Sequence, residues 1–395
     1  MDRSRLRHLG KHRSEIRELF EYGNRRKAEI GADKVFDFSL GNPSTPPPAS
    51  VTQALPLLLE RDPLSLHGYT SAPGALSARQ AVADDLNRRF AAGVGPEHVY
   101  MTCGAAASLT IALSALVESG EEVLVLAPFF PEYTVFIETA GGRPVIVPGL
   151  EPQFGLNLDG IAAALNQNTA AIILNSPNNP SGAVVSEAEI QALANLLNQA
   201  QTQYGHPIYL ISDEPYRELV YGNRALPFLT HYYENTVICY SYSKSLSLPG
   251  ERIGYLLVNP ACAHWQDIYD GICGAGRALG FVCAPALFQH LLPHVVGQTA
   301  DLTAYRQNRD LLYDTLTHLG FTVTRPDGAF YLFVKSPIPD ARAFSQAAKR
   351  YELLLVPSDS FGVPGYVRIA YCVDTDTVRR ALPAFESLAK EFFHE

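Results

Sequence analysis

The sequence predicts an α/β fold: a mostly parallel sheet covered by helices on both faces, followed by a smaller α+β unit. Three observations carry this. Short, continuously apolar segments recur along the chain, as strands buried on both faces do. Stretches with helical spacing of apolar residues run between them. At 395 residues the chain exceeds what one small core needs, which points to one large and one smaller domain.

In chain order, Met1 to His8 is basic with no apolar run behind it, so it reads as a solvated arm and not as a secretory signal. Pro46-Pro47-Pro48 is a stiff connector leaving an N-terminal segment. Helical spacing covers Ala75 to Phe90. A short strand, His98 to Thr102, leads into a helix over Ala107 to Glu118 and a strand over Glu122 to Leu126. Later strands are Ala170 to Leu174, Ile208 to Ile211, Val237 to Tyr240 and Arg252 to Val258, with a helix over Glu187 to Ala200 among them. A long helix spans Ala300 to Leu319, and mixed strands and helices follow from Phe321. The expected organisation is a segment 1–50 packing with the small domain, a large domain 51–295 and a small domain 296–395.

The net charge of −9 argues against a general nucleic-acid binder. No window approaches twenty apolar residues, so no membrane span is expected. The six cysteines form no Cys-x-x-Cys pair and meet no histidine at zinc-site spacing, so no metal site is expected. Buried reduced thiols fit a cytoplasmic protein.

Ligands of such sheets sit beyond the carboxyl ends of the strands, so the polar residues there should form one chemical set. Val237 to Tyr240 delivers Lys244 into a cluster of small hydroxyl residues, Ser241 to Ser247, and Arg252 follows eight positions later. A lysine at the end of a buried strand is costly unless neutralised or bonded. Imine formation with an aldehyde cofactor solves that problem, and the arginine suits the cofactor's phosphate. A second strand ends in Asn175-Ser176-Pro177-Asn178-Asn179-Pro180-Ser181-Gly182, and a third in Ser212-Asp213-Glu214-Pro215-Tyr216. The first strand ends in Cys103-Gly104-Ala105-Ala106, a small-residue turn opening a helix whose free N–H groups suit phosphate.

With these motifs in order, the chain from about Phe36 to its end resembles the fold-type I, pyridoxal-phosphate-dependent aminotransferases of class I/II. The resemblance implies pyridoxal 5'-phosphate bound covalently by Lys244, which then serves as proton carrier. Asp213 would face the ring nitrogen and keep it protonated. Tyr216 and Asn179 would hydrogen-bond the ring's O3′. Gly104, Ala105, Ala106, Ser241 and Arg252 would hold the phosphate, and Phe130 would stack on the ring, with Phe129 as a possible substitute. Many relatives carry a hydroxyl or lysine where this chain has Ala105 and Ala106, which shifts the burden to backbone amides, Ser241 and Arg252. Tyr69 matches a tyrosine that reaches the phosphate of a neighbouring subunit, implying a homodimer with shared active sites. Gly41 and Asn42 match a loop that closes over substrate. Arg368 matches the clamp for the substrate α-carboxylate, and Phe330 is expected to line the pocket. Arg277 lies in the region from which aspartate-type members send an arginine across the dimer; an interface or helix-end role is the alternative.

The implied reaction is transfer of an amino group between an amino acid and a 2-oxo acid. Elimination, replacement or cyclisation on a β- or γ-substituted amino acid uses the same fixed residues and stays open as the alternative. A regulator with such a domain would need a helix-turn-helix upstream, and the matching residues begin by Gly41. The glycines at 271, 274, 276 and 280 do not have the spacing of a dinucleotide-binding turn.

Overall fold

The computed structural model describes residues 3–11, 14–222 and 226–393. The other positions, including Met1 and Asp2 of the expected basic arm, lie outside the described residues. Seven strands form the main sheet in the spatial order Val99–Thr102, Gly254–Val258, Thr236–Ser241, Tyr209–Asp213, Thr169–Asn175, Glu122–Leu126 and Arg143–Val147. Six of them run one way; only Gly254–Val258 runs against them. This is the mostly parallel sheet that the apolar runs predict.

Alternation within the strands explains the two covered faces. Val123, Val125, Ala171, Ile173, Ile211 and Val237 point into one core with the helix Ala105–Leu116. Leu124, Ile172, Leu174 and Leu210 point the other way, against Glu187–Tyr204. Val99, Met101, Ile238 and Leu257 continue that second face against Leu76–Phe90. Side chains two apart share a face, so a strand buried on both faces must be apolar throughout.

Two boundaries differ from expectation for local reasons. The helix after Gly104 begins at once, at Ala105, because Gly104 adopts φ 87° and turns the chain straight out of its strand. The antiparallel strand begins at Gly254, not Arg252, because Arg252 sits in the left-handed region at φ 53°. The edge strand Arg143–Val147 escapes an apolar-run criterion. It starts with an exposed arginine and a proline, and Ile146 is exposed.

A second sheet of four strands has the order Val356–Pro357, Tyr366–Ala370, Tyr331–Lys335 and Val323–Thr324. The helices Thr303–His318, Ala341–Lys349 and Thr375–Phe393 share its core. The N-terminal segment lies along this sheet: Phe36–Asp37 pairs in parallel with Leu353–Leu354, and Ala370 N donates to Phe38 O at 2.9 Å. Ion pairs Arg26–Glu352 at 2.6 Å and Lys27–Asp37 at 2.7 Å reinforce the seat. No described helix is long and apolar enough to cross a membrane.

The helix Glu187–Tyr204 opens with a capping box: Ser186 Oγ accepts from Glu189 N, and Glu189 Oε2 accepts from Ser186 N at 2.9 Å. Ser186→Ala should lower unfolding free energy by about 1 kcal/mol. Urea titration followed by circular dichroism reads this; an unchanged midpoint would show that the cap contributes nothing here.

Candidate active site

Because one strand runs against the other six, five chain stretches meet at one edge. The carboxyl ends at Thr102, Asn175, Asp213 and Ser241 face the same side as the amino end at Gly254, and Ser241 and Thr102 are both in register with Gly254. Arg252, preceding the reversed strand, therefore arrives beside residues that follow the forward ones. A cavity of about 250 Å³ opens there. It is lined by Gly41, Ala105, Ala106, Phe130, Asn179, Asp213, Tyr216, Ser241, Lys244, Arg252 and Arg368, all singled out in the sequence.

Lys244 stands in a one-turn helix, Tyr242–Ser245, capped by Ser241, whose hydroxyl accepts from Ser243 N at 3.2 Å. Its Nζ donates to Gly41 O at 2.6 Å and lies 5.4 Å from the centre of the Phe330 ring. Burial disfavours the ammonium and pulls Lys244 down to about 8, with Arg252 and Arg368 adding to the effect.

Asp213 is buried at the end of its strand. Burial raises its carboxyl to about 7, against the lowering effect of the hydroxyl that Tyr133 donates to Oδ2. Asn175 Nδ2 donates to the Asp213 backbone carbonyl at 2.9 Å, and Asn175 Oδ1 accepts from Asn179 N at 2.8 Å. Asp213 Oδ1 has no hydrogen-bond partner. A buried carboxylate oxygen left this way is unfavourable by itself and fits a cationic N–H donor in the cavity.

At the other end, Arg252 Nη1 donates to Pro249 O at 3.0 Å and to Ser243 Oγ at 3.4 Å. Gly104 has φ 87°, a backbone conformation that glycine adopts without strain, and a Cβ there would stand 3.0 Å from Arg252 Nη2, so the glycine gives the guanidinium room against the start of the helix Ala105–Leu116. The first-turn N–H groups of that helix lack intrahelical acceptors. With Arg252 and Ser241 they form a cradle of the kind that holds a phosphate.

Arg368, fully buried, comes from the second sheet. Its Nη1 donates to Asn179 Oδ1 at 3.0 Å and its Nη2 to Ser39 O at 2.5 Å, while Nε has no partner. No carboxylate pairs with it in the hydrogen-bond or ion-pair network among the described residues. Burial lowers its pKa, with the Tyr331 and Tyr216 hydroxyls opposing that. A buried guanidinium without a counter-ion is a strong site for a carboxylate ligand.

Six singled-out residues do not line the cavity. Gly104 sits behind its helix turn. Phe330 is fully buried in the second core, ring to ring with Tyr216 and Tyr305. Phe330 thus packs behind the wall, and its neighbour Tyr331 is on it, its hydroxyl 2.8 Å from that of Tyr216. Asn42 donates its N–H to Leu40 O. Tyr69 is 97% exposed, and Arg277 is exposed in the last turn of Trp265–Ala278. Phe129 is buried away from the cavity, where its N–H donates to Phe361 O, so Phe130 is the aromatic on the wall.

The residues that sequence reading missed share a cause. Tyr133, Ser243, Asn175 and Tyr331 lie within three residues of predicted ones, and only the direction of each side chain selects them. Ile16 and Leu40, also on the wall, come from the N-terminal segment. Their sequence signal is a plain apolar residue. Gly41 has a steric one: a Cβ there would come 2.1 Å from the Tyr331 hydroxyl.

Known proteins place this arrangement. An amino transferase from Eubacterium rectale is 48% identical, with a TM-score of 0.97 covering 100% of this chain and 99% of that one. The aspartate aminotransferase of Thermus thermophilus, solved with maleate, is 26% identical with a TM-score of 0.84, covering 95% and 97%. Aromatic-amino-acid aminotransferase 2 of Thermococcus litoralis is 27% identical over 96% of each chain. The family model described as aminotransferase class I and II matches residues 33–385. The chain belongs to the class I and II aminotransferases.

Proposed function

We propose that this protein transfers an amino group between an L-amino acid and a 2-oxo acid by ping-pong chemistry, with pyridoxal 5'-phosphate as its cofactor. One observation carries the reading: a desolvated lysine, a buried carboxylate with a free oxygen, a phosphate-type cradle and an uncompensated buried arginine share one cavity. The relatives named above are aminotransferases, which favours transfer over elimination, replacement or cyclisation.

Each residue has a physical task. Lys244 Nζ, partly neutral near pH 8, would hold the cofactor through its aldehyde carbon and would carry the proton of the substrate's α-carbon. When bound, the cofactor supplies an electron sink for the charge left on that carbon. Asp213 Oδ1 would accept from the protonated ring nitrogen, while Tyr133 holds the other carboxylate oxygen. Tyr216 and Asn179 would bond the ring oxygen, and Phe130 would pack on the ring. Gly104, Ala105, Ala106, Ser241 and Arg252 would hold the phosphate. Arg368 binds the substrate α-carboxylate, its plane kept fixed by Asn179 and Ser39.

The outward-facing Tyr69 serves a second subunit's phosphate. Exposed Leu57, Leu59, Leu64 and Leu76 near it in the chain give a homodimer an apolar surface to cover. Gly41 and Asn42 form the loop beside the substrate, with Phe330 supporting Lys244 from behind. Arg277 belongs to the subunit interface. The division into segment 1–50, large domain 51–295 and small domain 296–395 then puts the site between cofactor-bearing and carboxylate-binding parts. A reduced, cytoplasmic setting suits the free cysteines.

Lys244→Ala should lower turnover by about 10³-fold or more. Borohydride treatment of the cofactor-loaded variant should leave residue 244 unlabelled in a peptide mass map. Turnover near wild type would defeat the assignment. The lowered pKa gives a second expectation. The neutral amine is the reactive form, so covalent capture of pyridoxal phosphate by the apoprotein should accelerate with pH up to about 8 and then level off. Stopped-flow absorbance measures this; a rate still climbing at an ordinary lysine's range would contradict a desolvated amine.

A further inference from the structure

A pair of phenols on the cavity wall shares one hydrogen bond: the hydroxyls of Tyr216 and Tyr331 lie 2.8 Å apart. Both side chains are buried, Tyr216 in the turn after its strand and Tyr331 at the start of Tyr331–Lys335. A phenol carries a single proton, so only one partner donates into this bond. In the reading above, Tyr216 gives its proton to the cofactor's ring oxygen. The bond between the phenols must then run from Tyr331 to Tyr216, and Tyr331 becomes the source of a hydroxyl chain that ends on the cofactor.

The Tyr331 ring is fixed on several sides. The Arg368 guanidinium lies 4.7 Å from its centre, and the rings of Tyr216 and Phe330 meet it edge-on with centres at 5.7 and 4.9 Å. In the antiparallel pair with Tyr366–Ala370, Tyr331 stands opposite Ala370. Its hydroxyl abuts Gly41, whose carbonyl accepts from Lys244. Burial pushes the Tyr331 hydroxyl up to about 12, while Arg368 pulls it down. The proton therefore stays on the oxygen near neutral pH, and the neighbouring cation makes it a better donor. A hydroxyl that accepts a hydrogen bond in turn donates a stronger one, most of all where water is excluded.

We propose that Tyr331 is a positioning residue: its hydroxyl orients and polarises that of Tyr216 and so strengthens the hydrogen bond from Tyr216 to the cofactor's ring oxygen. This rests on the cofactor assignment proposed above. On that assignment the ring oxygen has a second proton donor, the protonated nitrogen of Lys244 joined to the cofactor. Weakening the Tyr216 bond leaves more negative charge on the oxygen, so the Lys244 nitrogen should keep its proton to higher pH. The measurement is a pH titration of visible absorbance in the full-length protein loaded with pyridoxal phosphate, which needs no turnover. Tyr331→Phe keeps the ring beside Arg368 and should raise the midpoint by about 0.5 pH unit. Tyr216→Phe should raise it further, and adding Tyr331→Phe to that variant should move it no more. Replacing Tyr331 by 3-fluorotyrosine keeps the hydroxyl but makes it more acidic, so the midpoint should fall. A hydroxyl that only supported the fold would not give shifts of opposite sign. A wild-type midpoint in Tyr331→Phe, or shifts that simply add in the double variant, would overturn the inference. If Tyr331→Phe does not fold, the fluorinated protein decides, and a midpoint not below wild type overturns it. Absence of a visible band in the loaded wild type, or an unchanged midpoint in Tyr216→Phe, would instead remove the cofactor assignment, and the inference with it.

Discussion

Desolvation governs this site. Asp213 is buried and Lys244 half-buried, and desolvation drives each toward its neutral form: the amine down to about 8, the carboxyl up to about 7. An interior that only stabilised the fold would replace such groups by apolar ones or pair them directly. Here they face a cavity in which Asp213 Oδ1 and Arg368 Nε have no partner. The protein holds unsatisfied polar atoms where a ligand with complementary charge can satisfy them, and the surrounding packing compensates for that unfavourable state.

The packing achieves this through topology. Reversing one strand between two parallel neighbours puts Arg252 beside Ser241 and Gly104, although it precedes its strand while the others follow theirs. The second sheet then brings Arg368 in from the far end of the chain, and the N-terminal segment threads between, giving Ser39 O to the arginine and Gly41 O to the lysine. Three separated stretches thus share two hydrogen bonds at the centre of the site. A displacement of the N-terminal segment would disturb both cationic groups together.

Much of this was legible from residues alone. Continuous apolar runs announced buried strands, and the polar residues after them formed one chemical set because ligands gather at one sheet edge. Lys244, Asp213 and Arg252 were readable since each breaks an apolar context at the end of a strand. Side-chain direction was not readable. Phe330, in a turn, and Tyr331, which opens the strand Tyr331–Lys335, are adjacent aromatics, and only the local backbone direction decides which one reaches the cavity. The edge strand from Arg143 was hidden because an edge has one covered side and tolerates proline and arginine.

The sequence by itself determined the element types, the sheet's mainly parallel character and the identity of the groups capable of chemistry. These follow from local periodicity and from the expense of burying a charge. Tertiary structure decided which of those groups meet, that Tyr133 bonds Asp213, that Ile16 and Leu40 line the same cavity, and that Tyr69 and Arg277 face outward. Such outcomes depend on strand direction and on contacts between residues hundreds of positions apart, and no local pattern encodes them.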